Sequence, residues 1–198
     1  GKHILCEKPL AMDAAEAGDM LRAVKESKVK HLCNYNYRMI PALALARQLV
    51  KNGRLGRIYH FRAVYLHEWL ADPMFPLTWA VVKEKTGSGA LGGIGSHIID
   101  LARWICGEPE YVTGITRTFT GERPLPDDPG KKGKVDVDDA FAATIEFENG
   151  AIGTLEASRF CPGRKNGQRI EVNGELGSLY FELEHLNYLD VYFTDDDR

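Results

Sequence analysis

Cysteine is scarce and scattered in this chain: the four residues Cys6, Cys33, Cys106 and Cys161 form no CxxC pair and no Cys/His cluster. Such spacing excludes a zinc ribbon and the disulfide framework that staples small secreted domains, and it suits a reducing, cytoplasmic setting. Long apolar runs are missing as well. None approaches the roughly 20 residues needed to cross a bilayer, so no membrane role is expected. Nor does one sign of charge dominate: 25 Lys and Arg face 28 Asp and Glu, the net charge is −3, and the basic residues form no stripe. That balance excludes the electrostatic footprint of a nucleic-acid binder. What remains is ordinary for a globular protein with a real core: 198 residues, 44% hydrophobic and 27% charged. The chain opens Gly1-Lys2-His3-Ile4-Leu5-Cys6, without an initiator Met and with the character of a buried strand, so its first residue is expected to fall inside a fold.

Periodicity supplies the elements. The apolar run over 3–6 ends in Glu7-Lys8-Pro9, as a parallel strand does when it delivers polar residues at its C-terminal edge. Asp13 and Glu16 have capping-box spacing, and Ala14, Ala17, Leu21 and Val24 recur at helical intervals, which predicts a helix over 13–28. A second strand over 31–35 completes a βαβ unit of the kind that ends a doubly wound sheet. A helix over 42–52 follows, with Leu43, Ala46 and Val50 inward and Gly53 as its left-handed terminator. From Arg57 the period becomes two, through Tyr59, Phe61, Ala63 and Tyr65, and an irregular aromatic stretch runs on to Trp79. A glycine-rich loop then leads to a helix over 96–106, stopped by Gly107. Residues 121–136, rich in Gly, Pro, Asp and Lys, are expected to form a mobile surface loop and not a hydrophobic element.

The remainder reads as antiparallel sheet. Phe141, Ala143, Ile145 and Phe147 share a face, and a three-residue Glu148-Asn149-Gly150 loop sets them opposite Ala157, Leu155, Gly153 and Ala151. A two-residue turn would pair Ile145 with Thr154 and Ala143 with Glu156, apolar against polar, so the longer loop with Gly150 left-handed is expected. A further hairpin runs through Ile170 and Val172, turns over 174–177, and returns through Leu179, Phe181 and Leu183.

Three motifs carry chemistry when taken together: Glu7-Lys8-Pro9 after one strand, Asn36-Tyr37-Arg38 after the next, and Gly95-Ser96-His97-Ile98-Ile99-Asp100 opening a helix. In this order and spacing, with Val172-Asn173-Gly174-Glu175-Leu176-Gly177-Ser178-Leu179 downstream, the chain resembles the glucose-fructose oxidoreductase and inositol dehydrogenase (GFO/IDH/MocA) family. The resemblance implies an α/β plus α+β architecture. Residues 1–38 would be the last βαβ of an NAD(P)-binding Rossmann domain, and 39–198 a C-terminal domain, incomplete at its end, with an open, mostly antiparallel sheet and flanking helices. It further implies NAD or NADP as cofactor, a sugar, cyclitol or related polyol as substrate, and a homo-oligomer formed through the C-terminal sheet. Tyr180, Tyr188, Tyr192 and Phe193 would supply uncovered aromatic surface there. Other readings of the resemblance are an NAD-linked elimination or glycoside-cleaving enzyme and a silent sugar-binding or regulatory paralogue.

Within that frame Lys8 and His97 are the catalytic candidates. A lysine at the C-terminal edge of a parallel strand points into the crevice where such sheets bind ligands, and its ammonium stabilises alkoxide character. An imidazole near its working pKa can accept the hydroxyl proton. His97, Asp100 and Trp104 share one helix face, opposite Ile98, Leu101, Ala102 and Ile105, as a pocket wall requires. The plainer alternatives are a solvated loop at Lys8 and a helix-terminal histidine at 97 with Asp100 favouring the dipole. The resemblance adds Glu7, Lys8, Pro9, Asn36 and Arg38 as cofactor contacts; Asp100, Tyr65 and Trp79 are the substrate-side candidates, and no metal is expected. Many family members carry Asp four residues before this histidine, where this chain has Gly93. Asp100 is then left to hold His97 or to contact substrate. Gly87-Ser88-Gly89-Ala90-Leu91-Gly92 spells GxGxxG, but no strand leads directly into it and the helix opens only later, so it is not read as a dinucleotide fingerprint.

Overall fold

A computed structural model describes residues 1–196. The strand β1 (Ile4–Cys6), the helix α1 (Ala14–Glu26) and the strand β2 (His31–Cys33) form the expected βαβ unit, with β1 and β2 parallel in the register Ile4 to His31 and Cys6 to Cys33. The Asp13 carboxylate accepts from Glu16 N–H at 2.9 Å, while the Glu16 carboxylate reaches back to Met12 N–H, one residue beyond the expected capping box. This unit has little cover. α1 has no fully buried residue, and the register partners Leu5 and Leu32 are 66% and 58% exposed.

A 3₁₀ turn (Asn36–Met39) leads into α2 (Pro41–Lys51), whose Leu43 and Ala46 are fully buried. Gly53 N–H bonds Val50 C=O and Arg54 N–H bonds Leu49 C=O, a Schellman closure that requires the positive φ of Gly53, +72°. Next comes β3 (Ile58–Leu66). Phe61, Ala63 and Tyr65 face the core as expected, but Tyr59 does not: a bulge between Ile58 and His60 shifts the register, so Ile58 is buried and Tyr59 exposed.

After α3 (Lys83–Thr86), the glycine-rich segment is helical and not the expected loop. A π-helical turn (Leu91–Gly95) runs without a break into α4 (Ser96–Cys106), which Gly107 ends at φ +111°. The strands β4 (Pro109–Arg117), β7 (Ala140–Phe147), β8 (Ile152–Ser158), β9 (Gly167–Gly174), β10 (Gly177–Glu182) and β11 (Asp190–Phe193) join β3 in one seven-stranded sheet, ordered β11-β10-β9-β3-β8-β7-β4. Its pairs are antiparallel except β3 with β8. The β7–β8 hairpin has the register that the longer loop requires, Phe141 to Ala157 and Ile145 to Gly153, with Gly150 at φ +80°. Leu183 lies beyond its strand, in a 3₁₀ turn. One face of the sheet is covered by α2 and α4, and between them lies a core of Leu43, Phe61, Ile98, Leu101, Phe147, Ile170 and Phe181 with their neighbours.

Residues 121–136 are not a featureless mobile loop. They contain the hairpin β5 (Glu122–Leu125) and β6 (Asp128–Lys134), and the segment just beyond it inserts Val135 into a second small core with Leu70, Val81 and Val137. Composition misleads here because the anchor is charged. Arg123 is fully buried, donates to the carbonyls of Leu70, Asp72 and Phe75, and lies over the rings of Phe75 and Phe160. Each N–H···O=C contact replaces water at the buried guanidinium, and the ring faces attract it.

Candidate active site

The site forms where the C-terminal edges of β1 and β2 meet the start of α4. Beyond β1 the Glu7 carboxylate accepts from Asn34 Nδ2 at 2.7 Å, which ties the ends of the two strands together. The Lys8–Pro9 bond is cis. Lys8 is half-buried, and its Nζ donates to the Gly93 carbonyl at 2.7 Å, crossing from the βαβ unit to the π-helical turn. Burial holds its pKa below the usual lysine range, against the opposing charge of Glu7.

The π-helical turn is held from a distance. Both oxygens of Asp138 are used, accepting from Gly89 N–H and Leu91 N–H at 2.7 Å each, so a carboxylate about fifty residues downstream caps this helix. A Cβ at Gly89 would fall 1.7 Å from the Asp138 carbonyl oxygen, and one at Gly95 would fall 2.4 Å from the Phe141 ring. These glycines serve close packing, and three amides of the GxGxxG stretch, those of Gly89, Ala90 and Leu91, are committed to Asp138, as a phosphate cradle would not allow. Gly93 differs: a Cβ there meets nothing within 4 Å.

His97 lies one turn further on. Because the helix starts upstream of Ser96, His97 is not a helix-terminal residue, and that plainer reading of it falls. The side chain is 7% exposed, and its Nδ1 is buried without a hydrogen-bonding partner. Three tyrosine rings surround it: Tyr37 at 4.5 Å between centroids, Tyr35 at 6.0 Å edge-on and Tyr65 at 6.1 Å. Burial, reinforced by the Lys8 charge, pushes its pKa down to about 4, so the imidazole is neutral at pH 7 and, contrary to the expectation from the sequence, does not titrate near the working pH.

Asp100 does not hold His97. Both its oxygens are taken by Arg38, whose Nε and Nη2 donate at 2.8 and 2.5 Å, and the guanidinium lies 5.8 Å from the Trp104 ring centre. The predicted helix face of His97, Asp100 and Trp104 is therefore real, but it is divided between a neutral imidazole and a neutralised ion pair. Tyr65 points its hydroxyl at Tyr37 and Asn166. Pro9 sits beside Lys8, and Asn36 is exposed at the head of the 3₁₀ turn. Trp79 stays apart, 66% exposed in another 3₁₀ turn (Trp79–Val81), and shares no ring or hydrogen-bond contact with this group among the described residues. Sequence reasoning missed the roles of Asp138, Tyr37 and Asn166. Tyr37 lay inside a quoted motif, whereas Asn166 and Asp138 had no local signal.

Among the described residues no group of three or more His, Cys, Asp or Glu converges as a metal site, and no helix is long and apolar enough to cross a membrane. Comparison with known proteins gives a match of residues 43–180 to the GFO/IDH/MocA C-terminal domain. The levoglucosan dehydrogenase of Pseudarthrobacter phenanthrenivorans is 44% identical over 207 residues, covering 99% of this chain and 53% of that protein. A myo-inositol 2-dehydrogenase of Thermotoga maritima is 28% identical, covering 98% of this chain and 53% of its own length. A solved levoglucosan dehydrogenase in complex with NADH and L-sorbose superposes with a TM-score of 0.96 at 46% identity, over 100% of this chain and 52% of that one. The chain thus spans about half the length of these relatives.

Proposed function

The chain belongs to the GFO/IDH/MocA family, and on that premise we propose that the complete protein is an NAD(P)-dependent oxidoreductase interconverting a hydroxyl and a carbonyl on a sugar, cyclitol or related polyol. The observation that carries this reading is the meeting of Lys8 and His97 from two separate parts of the chain. The Lys8 ammonium, 2.7 Å from the Gly93 carbonyl, stands at the turn that presents a buried, neutral, hydrogen-bond-poor imidazole.

The nicotinamide, when bound, supplies the hydride acceptor. The chain's own residues do the rest. Lys8 stabilises negative charge as the substrate oxygen gains alkoxide character, and neutral His97 accepts the hydroxyl proton. Arg38 occupies both oxygens of Asp100, so that carboxylate pairs with the guanidinium and not with His97. The fit to a nicotinamide is favourable: Glu7 keeps an exposed carboxylate at the strand edge beside Lys8 and Pro9, Asn36 is free on the same edge, and Gly93 leaves open space before His97.

Residues 1–38 are read as the end of a Rossmann domain, and 39–198 as the substrate and oligomerisation domain. An apolar groove of about 520 Å³ along α1, β1 and β2, with Leu5 and Leu32 exposed, supports the first part, since a finished doubly wound sheet covers such surface. The outer face of the seven-stranded sheet supports the second. There Tyr111, Ile115 and Ile152 stand exposed in cross-strand rows with Thr113, Ala142, Thr144 and Thr154. Of the four aromatics expected to be uncovered, Tyr188 and Tyr192 are exposed, whereas Tyr180 is half-buried and Phe193 packs against the core.

The test is turnover of the full-length protein with NAD or NADP against levoglucosan, myo-inositol and free hexoses, read as reduced-nicotinamide absorbance. Turnover on at least one ring alcohol is expected, with Lys8→Ala and His97→Ala each slower by about 10²–10⁴-fold. A folded protein that binds these sugars but forms no product from any of them would instead be a silent paralogue.

A further inference from the structure

The group around His97 contains a chain of hydroxyls that proton transfer does not use. Tyr37 lies against the imidazole on one side, and its hydroxyl is 2.7 Å from that of Tyr65. The Tyr65 hydroxyl in turn donates to Asn166 Oδ1 at 2.7 Å. A phenol has one proton to give. That of Tyr65 goes to Asn166, so Tyr37 must donate its own to Tyr65. The Tyr37 oxygen is then left with lone pairs only, beside His97, and the Asn166 amide is left with its two N–H donors, which no group among the described residues accepts.

Both ends are held in place. Tyr65 is buried at the end of β3. The loop carrying Asn166 is tied back to the same strand end: Cys161 N–H bonds His67 C=O, and Glu68 accepts from Gly163 N–H at 2.7 Å and pairs with Lys165. The acceptor and the donor are thus presented without further ordering of the loop, the condition under which a polar pair discriminates between ligands.

We propose that Tyr37 and Asn166 are specificity-determining residues that read two oxygens of a ring substrate, and that Tyr65 is the positioning residue that fixes their polarity. One substrate hydroxyl donates to Tyr37 Oη, and another oxygen, hydroxyl or ring ether, accepts from Asn166 Nδ2. The substrate class this fits is a polyhydroxylated ring with an oxygen besides the one oxidised. The inference rests on the oxidoreductase reading above. Once the bound ring shuts water out of the site, an analogue lacking one of these oxygens leaves the Tyr37 or Asn166 group unpaired and is penalised.

The experiment uses the full-length enzyme with its nicotinamide cofactor, the ring alcohol it turns over fastest, and that sugar's monodeoxy analogues. Asn166→Asp keeps an acceptor for Tyr65 but replaces the free N–H donors with an oxygen. It should raise KM for the parent sugar about tenfold, with a smaller effect on kcat, and the penalty should vanish for the one deoxy analogue lacking the oxygen read there. Tyr65→Phe releases the Tyr37 proton and should lower the parent-to-deoxy ratio of kcat/KM by about the same factor. Should Tyr65→Phe fail to fold, Asn166→Ala carries the test, since Asn166 is exposed. A chain that only braces the loop would change Tm and slow all sugars alike. Ratios unchanged from wild type in the folded variants, whether or not kcat falls, overturn the proposal while leaving the oxidoreductase reading intact. A wild-type protein that turns over no ring alcohol removes that reading, and this one with it.

Discussion

Gly93→Asp is the most informative single change at this site. The position lies four residues before His97, its Cβ would meet nothing within 4 Å, and no positive φ forbids a side chain there. A carboxylate introduced one turn before the imidazole would sit on the order of 5 Å away. At an effective dielectric of about 20 that separation gives about 3 kcal/mol, or roughly two pKa units. The Lys8 ammonium, at the Gly93 carbonyl, will share the new carboxylate, so a rise of about 1–2 units is expected, from about 4 towards the ordinary histidine range. The assay is NMR titration of the His97 ring proton, assigned with a His97→Gln variant, alongside the acid limb of the pH–rate profile of the complete enzyme. Stability provides an independent sign. In the wild type the unfolded chain protonates this histidine near pH 6.5, while the fold keeps it neutral down to about 4. The stability held by the neutral form is therefore full above about pH 6.5 and is lost as pH falls towards 4, on the order of 3 kcal/mol in all. Gly93→Asp should shrink that loss. An unchanged His97 midpoint in the folded variant would refute the placement of this side chain beside His97.

Expressed alone, the chain should bind NAD or NADP weakly or not at all, because it contains no dinucleotide fingerprint in a strand–turn–helix setting; micromolar affinity by calorimetry would contradict this. Arg123→Ala should cost about 3–5 kcal/mol in urea unfolding by emptying a fully buried site and removing the donor from three backbone carbonyls, and should open residues 121–136 to limited proteolysis. Proteolytic resistance equal to wild type would show that the hairpin does not depend on its arginine. Ile152→Lys on the outer sheet face should shift the full-length protein towards monomer by light scattering with little change in Tm, since that side chain is 60% exposed; a wild type that is already monomeric at micromolar concentration would remove the proposed interface.

Features set by near neighbours were legible from the sequence alone. The Asp13 cap, the Gly53 closure, the Gly107 stop and the register of the β7–β8 hairpin each depend on residues within a few positions, where steric preference and the apolar pattern leave one choice. The family motifs likewise marked Lys8 and His97, because their spacing along the chain carried the signal. Tertiary structure alone decided which partner each polar residue meets. The parallel pairing of β3 with β8 joins strands about ninety residues apart, Asp138 caps a helix about fifty residues upstream, and Arg123 turns a Gly/Pro/Asp/Lys stretch into an anchored hairpin. The same holds within the site. On the helical wheel Asp100 was as good a partner for His97 as any, yet Arg38 takes both its oxygens, and Asn166 acquires a role only because its loop folds back onto Tyr65. The physical reason is that a charge or amide has the same composition and local pattern whether it is solvated, paired or buried. Its pKa and its free lone pairs depend on what the fold brings within about 4 Å, which no window of sequence contains.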